Sequence, residues 1–420
     1  LRHNVVLRTD GGIKTGRDVV MASMMGADEF GIATTSLIAM GCIMVRQCHS
    51  DTCPVGICTQ KESLRAKFVG TPEKVVNLFS FIAEEVREIL ASLGFKSLNE
   101  IIGRTDLLAQ VSKGSENLDD LDFNPLLVQA DPGDNPRYCK EKVRNSVPDT
   151  LDERIIKDAG NLIEKGQKVE LTYNVKNTDR TIGARLSSLL TTKYGERKLS
   201  QDQINITLRG SAGQSLGAFA VSGIKINVIG DCNDYVGKGL SGATLIVRPS
   251  KLSNLETNQN TIIGNTVLYG ATSGNLFAAG EAGERFAVRN SGANAVTEGV
   301  GTNACEYMTG GNVVILGDVG DNFGAGMTGG MAFIYDENGK FETKVNPESV
   351  VWQRLETKYW KTFLKDLINE HFRETNSNIS KNIIKNFENE LAKFYQVCPK
   401  EMLDKLPNPI SEKKLQNFAS

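Results

Sequence analysis

Four of the eight cysteines lie close together, in a stretch that is rich in small and polar residues. They are Cys42, Cys48, Cys53 and Cys58, and a proline follows the third. Three thiolates on one irregular loop can converge on a soft metal, and iron–sulfur clusters favour cysteine ligands. A zinc ribbon would instead show closely paired cysteines. The spacing favours an iron–sulfur site, with Cys58 as a possible fourth ligand; buried apolar thiols and a structural zinc site are the alternatives.

A second candidate site begins at Asp10, directly after a short β-branched run. Asp10, Gly11 and Gly12 lead into a helix pattern, and a second apolar run leads into Gly31-Ile32-Ala33-Thr34-Thr35. Backbone N–H groups in a glycine turn suit an anion such as phosphate, because no side chain blocks its approach. We therefore predict a phosphate site on these two loops. A plain turn between strand and helix is the alternative. The predicted residues are Asp10, Gly11, Gly12, Gly31, Ala33 and Thr34.

The elements that position these residues follow a strand–helix–strand order. Such a unit places parallel strands side by side, and we expect them to be buried on both faces. A long helix follows the cysteines, with Thr71 as its cap, Pro72 at its first position and Gly94 at its end. In a β/α barrel, phosphate is held by the loops after the last two strands. This pattern predicts the end of such a barrel.

The composition is that of an ordinary globular protein with two to three domains. Of the 420 residues, 40% are hydrophobic and 23% charged, and 48 basic against 50 acidic residues give a net charge of -2. This balance provides no basic field for nucleic acid or membrane, and no apolar run is long enough to span a bilayer. Because half of the cysteines are clustered and the rest stand alone, they do not form a disulfide framework spread along the chain. This distribution indicates a reducing, intracellular compartment. Because Leu1 opens the chain, we expect a fragment of a longer protein.

Residues 166–345 carry a glycine repeat in which five intervals are 19 or 22 residues. The residue three positions after each glycine is apolar, which predicts an inward-facing position in stacked coils. We therefore expect a parallel β-helix, with Phe286 and Val314 inside and Glu284 in solvent. The repeating glycines are Gly223, Gly242, Gly264, Gly283, Gly292, Gly311 and Gly330.

Four segments follow from these patterns. Residues 1–111 form the barrel end with the cysteine loop, and the polar residues 112–165 form a linker. The β-helix covers residues 166–345, and residues 346–420 form a helical tail that caps its open end. The predicted fold class is thus α/β followed by all-β.

Residues 7–60 contain DGGIKTGRDVV, GIATTS and CHSDTCPVGIC, and this stretch resembles the end of the flavin-binding synthase domain of glutamate synthase large (alpha) subunits. The glycine repeat resembles the C-terminal right-handed β-helix domain of that family. The resemblance implies FMN held by the phosphate loops and a [3Fe–4S] cluster held by Cys42, Cys48 and Cys53. Cys58 is then not a ligand.

Enzymes of this family make two L-glutamate from L-glutamine and 2-oxoglutarate. Electrons come from ferredoxin or from a pyridine-nucleotide-oxidising small subunit, and pass through the cluster to FMN. The resemblance places no catalytic residue here, because the glutaminase and most of the barrel lie in the rest of the large subunit. We therefore expect this portion alone to be inactive.

A scaffold solenoid with a cysteine metal knot is the alternative function. The electron donor and the oligomeric state stay open at this stage. A tail rich in lysine, asparagine and isoleucine favours a plastid, the chloroplast stroma, and hence ferredoxin. The cytoplasm is the alternative compartment.

Overall fold

The computed structural model describes residues 1–48, 52–59, 61–111, 120–140, 148–195 and 199–411, apart from the side chains of Asn161 and Glu164. The chain divides into two compact units, Leu1–Val147 and Pro148–Ser420. None of the helices in these ranges combines the length and apolar character needed to cross a bilayer. Each unit has a core of its own.

The described residues of unit 1 form two short strands and five α-helices. Its elements are β1 (Arg8–Thr9), α1 (Gly16–Met24), β2 (Glu29–Phe30), α2 (Thr34–Ala39), α3 (Glu62–Arg65), α4 (Pro72–Leu93) and α5 (Leu98–Ile101). Strands β1 and β2 pair in parallel, as the strand–helix–strand pattern predicts. The expected burial on both faces is wrong, because Arg8 and Glu29 are exposed and no other described strand joins this sheet.

Helix α4 begins and ends where the sequence places it. Thr71 precedes it, Pro72 is its first residue, and Gly94 ends it in the left-handed region at φ 79°. Its buried residues are Ile82, Val86 and Leu90, which pack against Val19 and Val20 of α1. The first two turns of its apolar stripe stay open, with Val76 61% and Phe79 40% exposed.

Unit 2 is built on a 12-stranded sheet that runs mostly in parallel, so the chain is a mixed α/β protein. Its first strands are β3 (Val169–Val175), β4 (Ile204–Ala212), β5 (Ile224–Cys232), β6 (Ser241–Arg248), β7 (Thr261–Ile263) and β8 (Ser273–Ala278). The others are β9 (Glu281–Ala282), β10 (Ser291–Thr297), β11 (Thr309–Ile315), β12 (Gly329–Tyr335), β13 (Val350–Arg354) and β14 (Phe394–Pro399). The central order is β13-β14-β12-β11-β10-β8-β6-β5-β4-β3; in addition, β7 pairs with β5 and with β9.

The helices of unit 2 flank this sheet. They are α6 (Leu151–Glu164), α7 (Ala184–Tyr194), α8 (Lys358–Thr375), α9 (Asn378–Lys385) and α10 (Phe387–Glu390). The larger core lies on one face of the sheet and includes α6 and α7. A second core lies on the other face, where α8 covers the strands. The sheet from β6 to β12 is therefore buried on both faces.

Register assigns each apolar residue of these strands to one core. Leu245, Leu276, Ala295, Val313 and Ala332 are aligned across five strands and belong to the larger core. The next residue on each strand belongs to the second core, since successive side chains point to opposite faces. These residues are Ile246, Phe277, Val296, Val314 and Phe333.

The predicted inward position is therefore correct for Phe286 and wrong for Val314. Both are fully buried, but Val314 faces helix α8. Gly292 and Gly311 are 19 residues apart, whereas the paired Ala295 and Val313 are 18 apart, because the register shifts between Ser291 and Asn294. A slip of one residue exchanges the two faces of a strand.

Not every repeating glycine begins a strand. Gly264 and Gly283 precede turns, so Phe286 is buried in a turn. In six stacked turns, every second residue has positive φ, as at Arg285, Ala287 and Arg289 with φ 59°, 57° and 53°. Their N–H groups donate alternately to the layers on either side. This backbone pattern explains the abundance of glycine, which adopts positive φ without strain.

Two segment predictions differ from the structure. Residues 151–164, assigned to the linker, form α6, because Ile155, Ala159 and Ile163 follow a helical period and enter the larger core. The tail is helical at α8 and α9 but also supplies β13 and β14. Strand β14 pairs antiparallel with β12 and covers what would otherwise be a free edge of the parallel sheet.

Candidate functional site: a two-loop anion site and a cysteine loop

The two predicted phosphate loops lie against each other in unit 1. Each follows one of the paired parallel strands, so both emerge at the same edge of the sheet. The Gly31 N–H donates to the Thr9 carbonyl at 2.7 Å. A Cβ placed on Gly31 would lie 3.0 Å from the Cβ of Asp10. A side chain at residue 31 would therefore press the two loops apart.

The N-terminus of helix α1 is largely occupied by the chain itself, in contrast to what its sequence suggests. Its first residue and the two residues before it donate their amides to carboxylates, and the Asp18 N–H donates to the Thr15 hydroxyl. The N–H groups of Lys14 and Thr15 donate to Asp18, each at 3.0 Å, and that of Gly16 donates to Glu85 at 2.6 Å. The Lys14 N–H bond is the main cause that lowers the pKa of Asp18. Sequence reasoning missed Glu85, because it lies 69 residues away.

Free donors remain elsewhere on the two loops. Gly11 and Gly12 have φ 86° and 76°, and nothing lies within 4 Å of a Cβ placed on either. Neither of their N–H groups has an acceptor among the described residues, and the same holds for Thr34, Thr35 and Ser36 at the start of α2. The Thr35 Oγ1 atom is buried and also has no partner there.

These amides are donors that an anion can satisfy, and they come from both loops. No side chain at Gly11 or Gly12 intervenes. The Thr35 hydroxyl is buried, so an anion reaches it only if the loop opens. The residues present therefore fit the phosphate of a bound cofactor, with α2 rather than α1 as the helix that faces it. Asp10 and Ala33 lie on the same two loops.

The cysteine loop follows α2, and Cys53 has the strongest features of a metal ligand. Its side chain is 7% exposed. The N–H group of Cys58 is the main cause that lowers the pKa of the Cys53 thiol to about 7, and the N–H groups of Val55 and Ile57 add to it. Amide donors that converge on one sulfur stabilise a thiolate, which is the form that binds metals.

Cys58 lies beside Cys53 but has the opposite character. Its thiol is within hydrogen-bonding distance of the sulfurs of Cys48 and Cys53. Burial is the main cause that raises its pKa to about 12, and these two sulfurs contribute. The pKa values of the two thiols are thus shifted in opposite directions.

Cys42 is placed differently from the other predicted ligands. Its sulfur accepts the Met44 N–H at 3.4 Å and lies 3.8 Å from the Met44 sulfur. Cys48 is exposed. The structure thus brings Cys48, Cys53 and Cys58 together, whereas the resemblance groups Cys42, Cys48 and Cys53. Among the residues that the structure describes, no group of three or more metal-binding side chains is in ligating geometry. His49 lies outside the described residues.

Each unit matches a model of a known protein family. A family model described as "Conserved region in glutamate synthase" matches residues 1–96. One described as "GXGXG motif" matches residues 152–400, which include the six turns with alternating positive φ.

Three relatives illustrate the range of similar proteins. The NADPH glutamate synthase large chain of Azospirillum brasilense is 66% identical over 98% of this chain and 27% of its own length. The NADH enzyme of Schizosaccharomyces pombe is 48% identical over 96% of the chain and 19% of its own length. The chloroplastic ferredoxin-dependent enzyme of Spinacia oleracea is 45% identical, over 95% and 25% respectively. The chain thus spans about a quarter or less of each relative.

Proposed function

Because the chain belongs to the glutamate synthase large-subunit family, we propose that it is the C-terminal portion of such a subunit and supplies its flavin phosphate loops and iron–sulfur loop. The whole enzyme would make two L-glutamate from L-glutamine and 2-oxoglutarate. The observation that carries this proposal is the meeting of two loops with unpartnered amides, followed at once by cysteines of opposed acidity. A scaffold with a structural metal site would use the cysteines but would not need the unpartnered amides.

In this proposal, FMN is bound through its phosphate by the backbone of Gly11, Gly12, Gly31, Ala33 and Thr34, next to Asp10. The backbone N–H of Thr35, which has no acceptor among the described residues, adds a further donor. When bound, FMN supplies hydride chemistry. The part played by these residues is to bind and orient the phosphate end. We assign no proton transfer to them, so the residues that act on substrate belong to the rest of the large subunit.

Cys42, Cys48 and Cys53 would hold the [3Fe–4S] cluster, which carries single electrons. The lowered pKa of Cys53 supports its role as a thiolate ligand. Cys58 is left out because the resemblance assigns three ligands, although its sulfur lies close to those of Cys48 and Cys53. Cys42 would then turn from Met44 towards the cluster, and Cys58 would pack beside it as a thiol.

Two observations bear on the electron donor, the composition of the tail and the sequence identity to relatives, and they favour different donors. The tail composition favours ferredoxin and the plastid. Identity is higher to the NADPH enzyme of Azospirillum, at 66%, than to the ferredoxin enzyme of spinach, at 45%. We infer a pyridine-nucleotide-oxidising partner subunit from this difference. The cytoplasm is then the compartment to test first, with the chloroplast stroma as the alternative.

Two features of fold complete the proposal. Unit 1 would be the end of a (β/α)8 flavin barrel, of which β1 and β2 are the last strands. The stacked layers of unit 2 would form a right-handed parallel β-helix, which the parallel pairing in chain order supports. The boundary at Val147 and the helix α6 support a β-helix domain that begins near residue 148 and a shorter linker before it.

Anaerobic reconstitution of the 420-residue chain with iron and sulfide tests the cluster. We expect about three irons per chain and a spin one-half EPR signal in the oxidised state. Cys48→Ser should abolish the signal, and Cys58→Ser should keep it. A colourless protein that retains zinc would instead support the scaffold function. Equal loss of iron in both variants would replace our ligand set by one that includes Cys58.

A further inference from the structure

The exposed aromatic residues of unit 2 are concentrated on the stacked turns. Among the described residues of this unit, five aromatic side chains are highly exposed. Four of them lie on the stacked turns, and Tyr359 lies outside these turns. The other four, together with two cations, form one surface that we call the aromatic strip. Its residues are Phe219, Tyr235, Lys238, Tyr269, Arg289 and Tyr307.

Backbone hydrogen bonds align the strip along the stack. The Phe219 N–H donates to the Lys238 carbonyl at 2.8 Å, and the Gly239 N–H donates to the Tyr269 carbonyl at 2.8 Å. The Arg289 N–H donates to the next layer at 2.9 Å. Phe219 and Tyr307 are four layers apart, so with about 4.8 Å per layer the strip is roughly 19 Å long.

Several strip residues have a backbone conformation that glycine adopts at the same place in other layers. Phe219, Arg289 and Tyr307 have φ 58°, 53° and 54°. The matching positions in other layers are Gly239, Gly270 and Gly326. Positive φ costs a residue with a side chain about 1 kcal/mol or more. The strip side chains are thus carried by a backbone pattern that runs through all six turns and that also holds buried residues such as Ala287 and Cys305.

The strip has a shape as well as a composition. The Phe219 ring lies over Gly239, where a Cβ would be 2.5 Å from Cδ1, and the Tyr307 ring covers Gly326 in the same way. Nothing lies within 4 Å of a Cβ placed on Gly270. The surface is therefore open at Gly270. This opening lies between the layer in which Phe219 covers Gly239 and the layer of Arg289.

The two cations of the strip have no carboxylate partner among the described residues. The Lys238 ammonium lies 5.9 Å from the centre of the Tyr235 ring, and the Arg289 guanidinium lies 5.7 Å from that of Tyr307. Arg285 differs, since it pairs with Glu306 at 3.6 Å. An arginine that lies over a ring and has no ion-pair partner keeps its N–H donors available for a carboxylate.

We propose that the aromatic strip is a docking surface for a short, extended, acidic segment of a protein. Tyrosine, phenylalanine and arginine are enriched where protein interfaces are fully buried, and the uncompensated cations select carboxylates. A strip of roughly 19 Å matches about six residues in an extended conformation. Nucleic acid fits less well, because its binding relies on neutralising many phosphates, about 6–10, and the chain has a net charge of -2.

Binding of a fluorescent hexaglutamate peptide to the 420-residue chain, measured by anisotropy at low salt, tests the proposal. Arg289→Gly removes the cation and suits φ 53°, so the melting temperature should stay equal or rise. We expect it to weaken peptide binding about tenfold, or roughly 1.4 kcal/mol. Lys238→Gln, which leaves the backbone unchanged, should weaken it in the same direction.

Lys381→Gln is the matched control, because Lys381 is exposed on α9 and loses the same charge away from the strip. It should leave peptide binding unchanged. The proposal is overturned if hexaglutamate does not bind, or if the control weakens binding as much as the two strip variants. It is also overturned if a short oligothymidylate binds more tightly than the peptide and displaces it, since the partner would then be a nucleic acid.

Discussion

The two units differ in how far they bury their own apolar residues. Among the described residues, highly exposed large hydrophobic side chains number 21 in unit 1 and 9 in unit 2, although unit 1 is the smaller. Unit 1 leaves open the stripe of α4 and the residues around the cysteine loop, such as Ile43 and Val69. Unit 2 closes both faces of its sheet with helices and with β14.

This difference teaches how each unit carries its function. Unit 2 obtains its stability from residues that repeat along one stack, so its turns are free to vary at the surface. Unit 1 offers cofactor loops on a two-stranded sheet, with apolar surface that suits further contacts. Large exposed apolar patches on globular proteins mark interaction sites. We therefore expect substitutions in unit 2 to act mainly on stability, and those in unit 1 mainly on cofactor binding.

The largest expected effect is that of Phe286→Asp. Phe286 is fully buried in the larger core of unit 2, so the variant combines a lost aromatic side chain with a buried carboxylate. We expect a loss of at least about 4 kcal/mol in the free energy of unfolding. Chemical denaturation of the 420-residue chain measures it, with Phe286→Leu as a milder control. A variant that unfolds like the parent would contradict the self-contained core of unit 2.

Phe333→Ala tests the assignment of alternate residues to two cores. The Phe333 ring lies 5.9 Å from that of Trp360 on α8, whereas its neighbour Ala332 faces the larger core. We expect a loss of about 3–5 kcal/mol and, in a Trp352→Phe background that leaves Trp360 as the sole tryptophan, a red shift of its emission as Trp360 becomes hydrated. Ala332→Gly is the control for the other face and should leave the emission unchanged. If the emission of Phe333→Ala did not shift, the assignment of Phe333 to the second core would be wrong.

Gly12→Ala tests whether unit 1 acts through its loops. Gly12 and Gly94 share positive φ, at 76° and 79°, and neither has an atom within 4 Å of a placed Cβ. Alanine should therefore cost each about 1 kcal/mol of stability. In a full-length subunit, only Gly12→Ala should lower FMN occupancy after dialysis, since its Cβ enters the space open to phosphate. Equal occupancy in the two variants would remove the phosphate role from this loop.

The smallest expected effect is that of Glu284→Lys in unit 2. Glu284 is exposed, as the repeat predicts, and its carboxylate accepts a hydrogen bond from Thr302. Exposed contacts of this kind contribute little, so we expect a change of about 0.5 kcal/mol or less. Thermal melts beside Phe286→Asp measure it. A cost of several kcal/mol would show that the surface of the stack, as well as its core, holds unit 2 together.

The sequence by itself determined the local features of this protein. The bounds of α4 follow from Thr71, Pro72 and Gly94, because caps and proline act within one turn. The parallel pair β1–β2 follows from the strand–helix–strand order, and the stacked layers follow from the glycine interval. The family was recognisable from the loops and cysteines alone, and the comparisons confirm it.

Only the tertiary structure decided features that depend on distant residues. A shift of register between Ser291 and Asn294 turned Val314 towards α8, because one residue of slip reverses a strand's faces. Glu85 took the Gly16 amide that the sequence had offered to phosphate. Within the cysteine loop, where the partners are close in sequence, the folded conformation brings amides onto the Cys53 sulfur, which lower its pKa, and buries Cys58, which raises its pKa. In each case the deciding partner comes from backbone or side chains that folding alone brings into contact.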